Sequence, residues 1–536
     1  MRNFPLTFSI FLLTFSILHS QPKLVVGIVV DQMRNDYIEK YWSKFGERGV
    51  KRLLNDGYNF KNTFYNYIPT YTGPGHASIF TGTTPSQNGI AANTWYDVKT
   101  KTNVYCVIDN TVQTIGGSET AKNLSPKNLL SITIGDKIKL LYPQAKVIGV
   151  ALKDRGAILA AGQKANAAYW YDGKTGNWVS STYYMKELPK WVIELNELKL
   201  AQKYLKNIWS TLLPIDQYTE SISDDNDFEQ PFKPQTRPVF PYNLLELAAT
   251  NDNLELIRST PWGNTLTTDF AISAIKNEKL GDDSVTDMLT ISFSSTDYIG
   301  HQFGPTSVEV EDTYLRLDKD IETFLNFLDK EVGKDKYLMF LTADHGASDN
   351  VNYMKSKNIS AGFYDEKEIE KKLKTSLSKQ FADSLIYTVM NGQVYVMNDK
   401  IEKMKLDKEK VYSFITEKLK EVKGVKQVYT ENELSSHNGI NPEQILVKNG
   451  YLKGRSGNIF IVFEPNWMGI ESKLGTTHGS GYEYDTHVPF LLYGYAIPKG
   501  QSTKKQKVIT DIAPTVIEII KPYKPFSKEF EKILDK

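Results

Sequence analysis

Hydrophobic positions in this chain fall into short unbroken runs. Leu24-Val-Val-Gly-Ile-Val-Val30 is apolar at nearly every step and ends at the carboxylate of Asp31. Such runs predict strands buried on both faces of a parallel sheet. Similar runs predict strands over 145–152, 288–293, 337–343 and 488–493. Between them the apolar spacing becomes helical, over 33–45, over 49–55 and again after residue 72. Strands alternating with helices predict an α/β fold with a mainly parallel central sheet flanked by helices. Ligands of such sheets lie beyond the carboxyl ends of the strands.

Two stretches interrupt the alternation. Residues 163–287 are aromatic and loop-rich, with a hairpin signal at 170–178 and an acidic, proline-rich run at 223–242. Residues 350–475 carry a strand–helix–strand pattern over 393–397, 408–423 and 425–429. Both read as insertions that build walls over the site of one catalytic domain spanning 21–536.

A β-type run over 60–68 leads into Tyr71-Thr-Gly-Pro-Gly-His-Ala-Ser-Ile-Phe-Thr-Gly82, a sharp strand-to-helix turn. Thr72 sits where an N-cap belongs, and Pro74 suits the first helical turn. A hydroxyl there has backbone N–H groups and the positive end of a helix dipole beside it. That setting suits a nucleophile attacking a phosphoryl or sulfuryl centre.

Four further motifs share one ligand chemistry. Asp31 closes the first strand, and Asp344-His345 directly follows another. Asp297 and His301 stand four residues apart, on one face if that segment is helical. His478 lies in a glycine-rich turn ahead of the last core strand. Three Asp and three His beside one hydroxyl suffice for two metal ions with positions left open for substrate. Imidazole-rich ligation without thiolate favours zinc, with manganese or iron as the alternatives. His76, His437 and His487 lack such a context and read as structural.

Net charge is +1, so neither nucleic acid nor an anionic membrane suggests itself as partner. The lone cysteine, Cys106, excludes an intramolecular disulfide and reads as packed. Met1-Arg-Asn and the apolar run over 4–18 predict a signal peptide over residues 1–20, cleaved near Ser20/Gln21. The mature protein would be periplasmic or secreted, with no stable membrane association after cleavage.

The ordered set of Asp31, Thr72 in YTGPGHASIFTG, Asp297 and His301 in STDYIGH, Asp344-His345 in TADHG, and His478 resembles the alkaline phosphatase superfamily. A threonine nucleophile is similar to the branch holding type I phosphodiesterase/nucleotide pyrophosphatases and the phosphate-irrepressible alkaline phosphatases. The Cys/Ser-x-Pro-x-Arg motif of sulfatases is missing. The resemblance implies two Zn2+ per subunit. Asp297, His301 and His478 would hold one, and Asp31, Asp344 and His345 the other, together with the Thr72 alkoxide. It implies in-line displacement through a phosphothreonine intermediate. Asn93 would donate to a non-bridging phosphoryl oxygen. Lys153 and Arg155 are similar to the Lys/Arg pair of the monoesterases, and two cations suit a dianionic monoester. The expected function is therefore hydrolysis of small-molecule phosphate monoesters. A phosphodiesterase or nucleotide pyrophosphatase of the same superfamily is the alternative. A metal- or phosphate-binding protein without turnover has no need of Thr72, and a membrane-embedded phosphoethanolamine transferase needs a helical membrane domain that is absent.

Overall fold

A computed structural model describes residues 21–435, 441–470 and 473–521, so the expected signal peptide and His437 lie outside the described residues. The strands of the main sheet are β1 (Leu24–Val30), β2 (Gly57–Phe60), β3 (Thr114–Ile115), β4 (Val147–Ala151) and β5 (Ala167–Asp172). They continue with β6 (Asn177–Ser181), β7 (Asp287–Phe293), β8 (Tyr337–Thr342), β9 (Phe490–Gly494) and β10 (Gln501–Thr503). Their order across the sheet is β10-β2-β9-β8-β1-β7-β4-β5-β6-β3. β8, β1, β7, β4 and β5 run parallel at its centre. β1, β7 and β8 are buried at every position, as all-apolar runs covered on both faces require.

The chain is thus an α/β protein with a mainly parallel sheet, and three local expectations change. The last core strand runs antiparallel to both β8 and β2. The β run over 60–68 divides into β2 and a two-residue strand, Thr63–Phe64, before irregular chain. The helical pattern over 33–45 contracts to Asp36–Lys40.

The hairpin signal at 170–178 becomes β5 and β6, with Trp170 opposite Val179. Between 350 and 475, strands Ile386–Met390, Gln393–Val396, Val425–Thr430 and Ile459–Phe463 form a separate four-stranded sheet. Helices Glu366–Phe381 and Lys408–Lys420 pack on it through a core of their own, including Leu373, Leu377 and Ile415. Among the described residues no helix is long and apolar enough to cross a membrane.

The site collects at the carboxyl end of the parallel strands. In β1, β7 and β8, Val30 pairs with Phe293 and Val29 with Thr342. The three strands therefore end level, and Asp31, Ser294–Asp297 and Asp344-His345 leave the sheet together.

Candidate active site

Thr72 opens helix α1 (Thr72–Thr81), and Tyr71, extended at φ −115° and ψ 159°, occupies the N-cap. This corrects the N-cap expectation for Thr72. Its hydroxyl makes no capping bond and faces the site instead. Oγ1 lies 3.4 Å from Lys153 Nζ, 3.4 Å from Arg155 Nη2 and 3.5 Å from His345 Nε2. The turn is docked tightly: a Cβ at Gly75 would stand 2.4 Å from the carbonyl oxygen of Asp344. Only glycine lets the two backbones approach so closely.

Two groups of ligand-type side chains flank this hydroxyl. Asp297, His301 and His478 bring one donor atom each within 4.8 Å of one another, and so do Asp31, Asp344 and His345. Asp297 and His301 sit one turn apart on helix α2 (Ser295–Phe303), with Oδ1 3.2 Å from Nε2. His478 Nε2 lies 3.7 Å from the same Oδ1, and its ring stacks on His345 with centroids 3.5 Å apart.

The imidazoles are oriented by the backbone. Nδ1 of His301 meets Thr476 O at 2.8 Å, Nδ1 of His478 meets Thr70 O at 2.7 Å, and Nδ1 of His345 meets Gly346 O at 2.9 Å. A carbonyl only accepts, so each Nδ1 carries the proton and each Nε2 presents a lone pair to the site. Burial, with the neighbouring histidines His345 and His301, holds His478 well below the usual imidazole range, and burial lowers His345 too. The neutral form that ligands need is favoured in both, whereas the Asp297 carboxylate outweighs burial and raises His301.

The carboxylates fit the same purpose. Asp31 Oδ1 is buried without a hydrogen-bond partner, Asp31 Oδ2 meets Lys153 Nζ at 2.7 Å, and Asp344 Oδ2 has His76 Nδ1 3.3 Å away. Burial and the Asp344 charge raise Asp31 well above the usual carboxylate range. Buried carboxylates beside three imidazole nitrogens form a donor set suited to two divalent cations.

Lys153 follows β4, and its ammonium is buried between the groups, 2.7 Å from Asp31 Oδ2 and 2.5 Å from Asp297 Oδ2. It is not a surface charge. Arg155 is oriented by Tyr105, whose hydroxyl accepts from Nη1 at 3.3 Å and donates to Asp154. Asn93 Oδ1 accepts the Gly73 N–H at 2.7 Å, which leaves its NH2 group to donate elsewhere.

Two residues have functions the sequence did not signal. His76, read as structural, holds Thr72 O with Nδ1 at 2.9 Å, Ser292 Oγ with Nε2 at 2.9 Å, and lies 3.3 Å from Asp344 Oδ2. It joins the Thr72 turn to the Asp344 carboxylate. Gln32, in the left-handed region at φ 65°, donates its backbone N–H to Asp344 Oδ1 and its amide to Asp297 Oδ1, at 3.1 and 2.9 Å. A carboxylate ending a strand gave no hint of the next residue's bridging role. His487 is structural: its ring stacks on Phe64 and Nε2 donates to Lys61 O at 2.9 Å. Cys106 is buried and unpaired.

The family model described as type I phosphodiesterase / nucleotide pyrophosphatase matches residues 25–487. The chain belongs to this family. Among its relatives, a Myroides odoratus protein named calcium-transporting ATPase is 48% identical over 95% of this chain and 94% of its own length. Alkaline phosphatase PafA of Elizabethkingia meningoseptica is 45% identical over 94% of this chain and 92% of its own. The crystal structure of wild-type PafA superposes with a TM-score of 0.90 at 44% identity, covering 93% of this chain and 96% of that one. Family membership and the superposition on PafA account for the shared fold.

Proposed function

We propose that this family member is an exported alkaline phosphatase that hydrolyses small phosphate monoesters, with Thr72 as nucleophile and residues 1–20 as a cleaved signal peptide. One observation carries the reading. The uncapped Thr72 hydroxyl stands between two ligand groups and within 3.4 Å of both a lysine and an arginine. The 45% identity to an alkaline phosphatase along almost the whole chain supports it.

Asp297, His301 and His478 would hold one zinc ion, and Asp31, Asp344 and His345 the other. When bound, two zinc ions supply Lewis acidity and favour the ionised form of a hydroxyl at neutral or alkaline pH. The protein's own groups do the rest. Arg155 and the Asn93 amide bind the phosphoryl oxygens, and the N-terminus of α1 adds its partial positive charge. Thr72 Oγ1 attacks phosphorus in line, the P–O bond to the alcohol breaks, and phospho-Thr72 forms. Water then attacks the same phosphorus, releasing inorganic phosphate and the free threonine. Lys153, beside Oγ1, offsets the negative charge gathered at the nucleophile.

The test is hydrolysis of p-nitrophenyl phosphate beside bis-p-nitrophenyl phosphate, with metal content measured on the same sample. The expected outcome is strong preference for the monoester, about two zinc per chain, loss of activity on prolonged chelation and recovery with zinc. Preference for the diester would make the chain a phosphodiesterase instead.

A further inference from the structure

A cavity of about 220 Å³ opens beside His478, between the turn over 477–485 and the separate sheet of the 350–475 segment. Its aromatic walls include Tyr71, Tyr364, Phe463, Trp467, Tyr482 and Tyr484. Its charged lining is Glu443, Glu464 and Asp485, and among the described residues that line it there is no lysine or arginine. Glu443 is occupied, since Lys426 pairs with it at 2.5 Å. Asp485 is different. It is 1% exposed, and its Oδ2 accepts the Gly479 and Ser480 N–H groups at 3.1 and 2.7 Å and the Ser480 hydroxyl at 2.6 Å. Its Oδ1 has no partner. Burial pushes its carboxyl up to about 7, so at alkaline pH it is an anion.

A carboxylate oxygen without a donor, inside aromatic walls whose described lining holds no lysine or arginine, is suited to an organic cation; Lys426 and Lys423, which stand over the Tyr482 and Trp467 rings, lie outside that lining. Ring faces attract ammonium groups, best when water is excluded. The neighbouring centre has the opposite demand, because Lys153 and Arg155 face Thr72. Tyr71 and His478 belong to both surroundings, so anion-binding and cation-binding surfaces meet at one wall. We propose that this cavity receives the ammonium group of an amino-alcohol phosphate, making zwitterionic monoesters the preferred substrates of the site. The proposal rests on the phosphatase reading given above.

Choline phosphate and 3,3-dimethylbutyl phosphate have the same shape and differ in the charge of one atom. Calorimetry on metal-replete Thr72→Ala protein should give choline phosphate a Kd about tenfold lower, and wild-type kcat/KM should follow the same order. Asp485→Asn keeps an oxygen for the 479–480 turn and puts an NH2 group in the cavity. It should abolish the preference while p-nitrophenyl phosphate is still cleaved. Trp467→Leu, further from the turn, should reduce the preference severalfold if Asp485→Asn folds poorly. Equal binding of the two phosphates to Thr72→Ala would overturn the cavity assignment whatever the activity. A binding preference in a protein that cleaves no monoester would instead overturn the phosphatase reading and leave the cation site standing.

Discussion

Gln32 joins the two ligand groups, its amide donating to Asp297 at 2.9 Å while its backbone N–H donates to Asp344 at 3.1 Å. The contact depends on a notch in α2. A Cβ at Gly300 would lie 1.8 Å from Gln32 Oε1, so any side chain there swings the amide away from Asp297. Hydrogen bonds to charged acceptors contribute about 1.5–3 kcal/mol each, and groups that orient metal ligands change affinity by about 10–100-fold. Gln32→Ala and Gly300→Ala should each weaken metal retention by an amount in that range. Because both remove the same contact, the double variant should be little worse than Gln32→Ala alone. Chelator-competition titration reads this directly. Wild-type metal affinity in Gln32→Ala would remove the bridging role.

A second expectation concerns stability against pH. Glu229 and Glu309 are buried, and each has an Oε2 without a hydrogen-bond donor. Burial raises both carboxyls well above the usual range, and the neighbouring Glu309 raises Glu229 further. A proton shared between them supplies the missing donor. The segment carrying Glu229 is tied to the site, with Gln230 N–H donating to Gln302 O and Gly475 N–H to Phe228 O, at 2.9 and 2.8 Å. In the unfolded chain both groups ionise near pH 4.3, so above that pH the folded state binds more protons than the unfolded one. Stability contributed by the pair is therefore full at low pH and declines as pH rises towards the folded-state titrations. Tm should fall from about pH 6 to about pH 9, and Glu309→Gln, which supplies a permanent donor, should flatten the decline. Parallel Tm–pH curves for the two proteins would refute this.

The parts of the site visible in the sequence are those in which one short segment carries its own chemistry. Asp31 and Asp344-His345 follow apolar runs, so their emergence at the strand ends could be foreseen. The four-residue spacing of Asp297 and His301 was equally readable, because it needs only one helical turn. Gln32 and His76 were not readable. Their partners lie 265 and 216 residues away in the chain, and an amide or imidazole carries no mark of such a contact. The carbonyls of Thr70 and Thr476 that fix the imidazole tautomers are backbone groups, present at every residue. The direction of β9 was hidden for a similar reason: an apolar run predicts a strand, but its partners decide which way it runs. The N-cap expectation for Thr72 failed by one residue. That shift matters, because a hydroxyl occupied in capping could not also face Lys153.

Thr72 is the sharpest test of the covalent reading. Thr72→Ala removes the nucleophile and leaves both ligand groups in place, so kcat should fall by several powers of ten. Thr72→Ser retains the hydroxyl at the same helix start and should stay within about tenfold of wild type. Rapid quenching with labelled substrate should trap one phosphoryl group per chain, stable in acid as a threonine ester. Near wild-type turnover by Thr72→Ala would mean direct attack by water.

Lys153 and Arg155 both approach Thr72, yet their other contacts differ, and so should the consequences of losing them. Arg155 reaches Thr72 Oγ1 through Nη2 and is held by the Tyr105 hydroxyl, and among the described residues its side chain bonds to neither Asp31 nor Asp297. Lys153 is 3% exposed and also neutralises Asp31 and Asp297. A phosphate monoester presents a third charged oxygen that a diester lacks, and an arginine fork suits it. Arg155→Ala should therefore lower monoester kcat/KM by about one to two powers of ten and diester kcat/KM much less. Lys153→Ala should depress both substrates, because it also leaves two buried carboxylates without their cation. The difference should be plainest in the chelated protein. There Lys153→Ala removes the ammonium that lies between Asp31 and Asp297, so its Tm should drop further relative to wild type than it does with metal bound. Arg155→Ala should make little difference to that comparison. Equal losses on monoester and diester in Arg155→Ala would assign the arginine to structure, and the diesterase alternative would then lead.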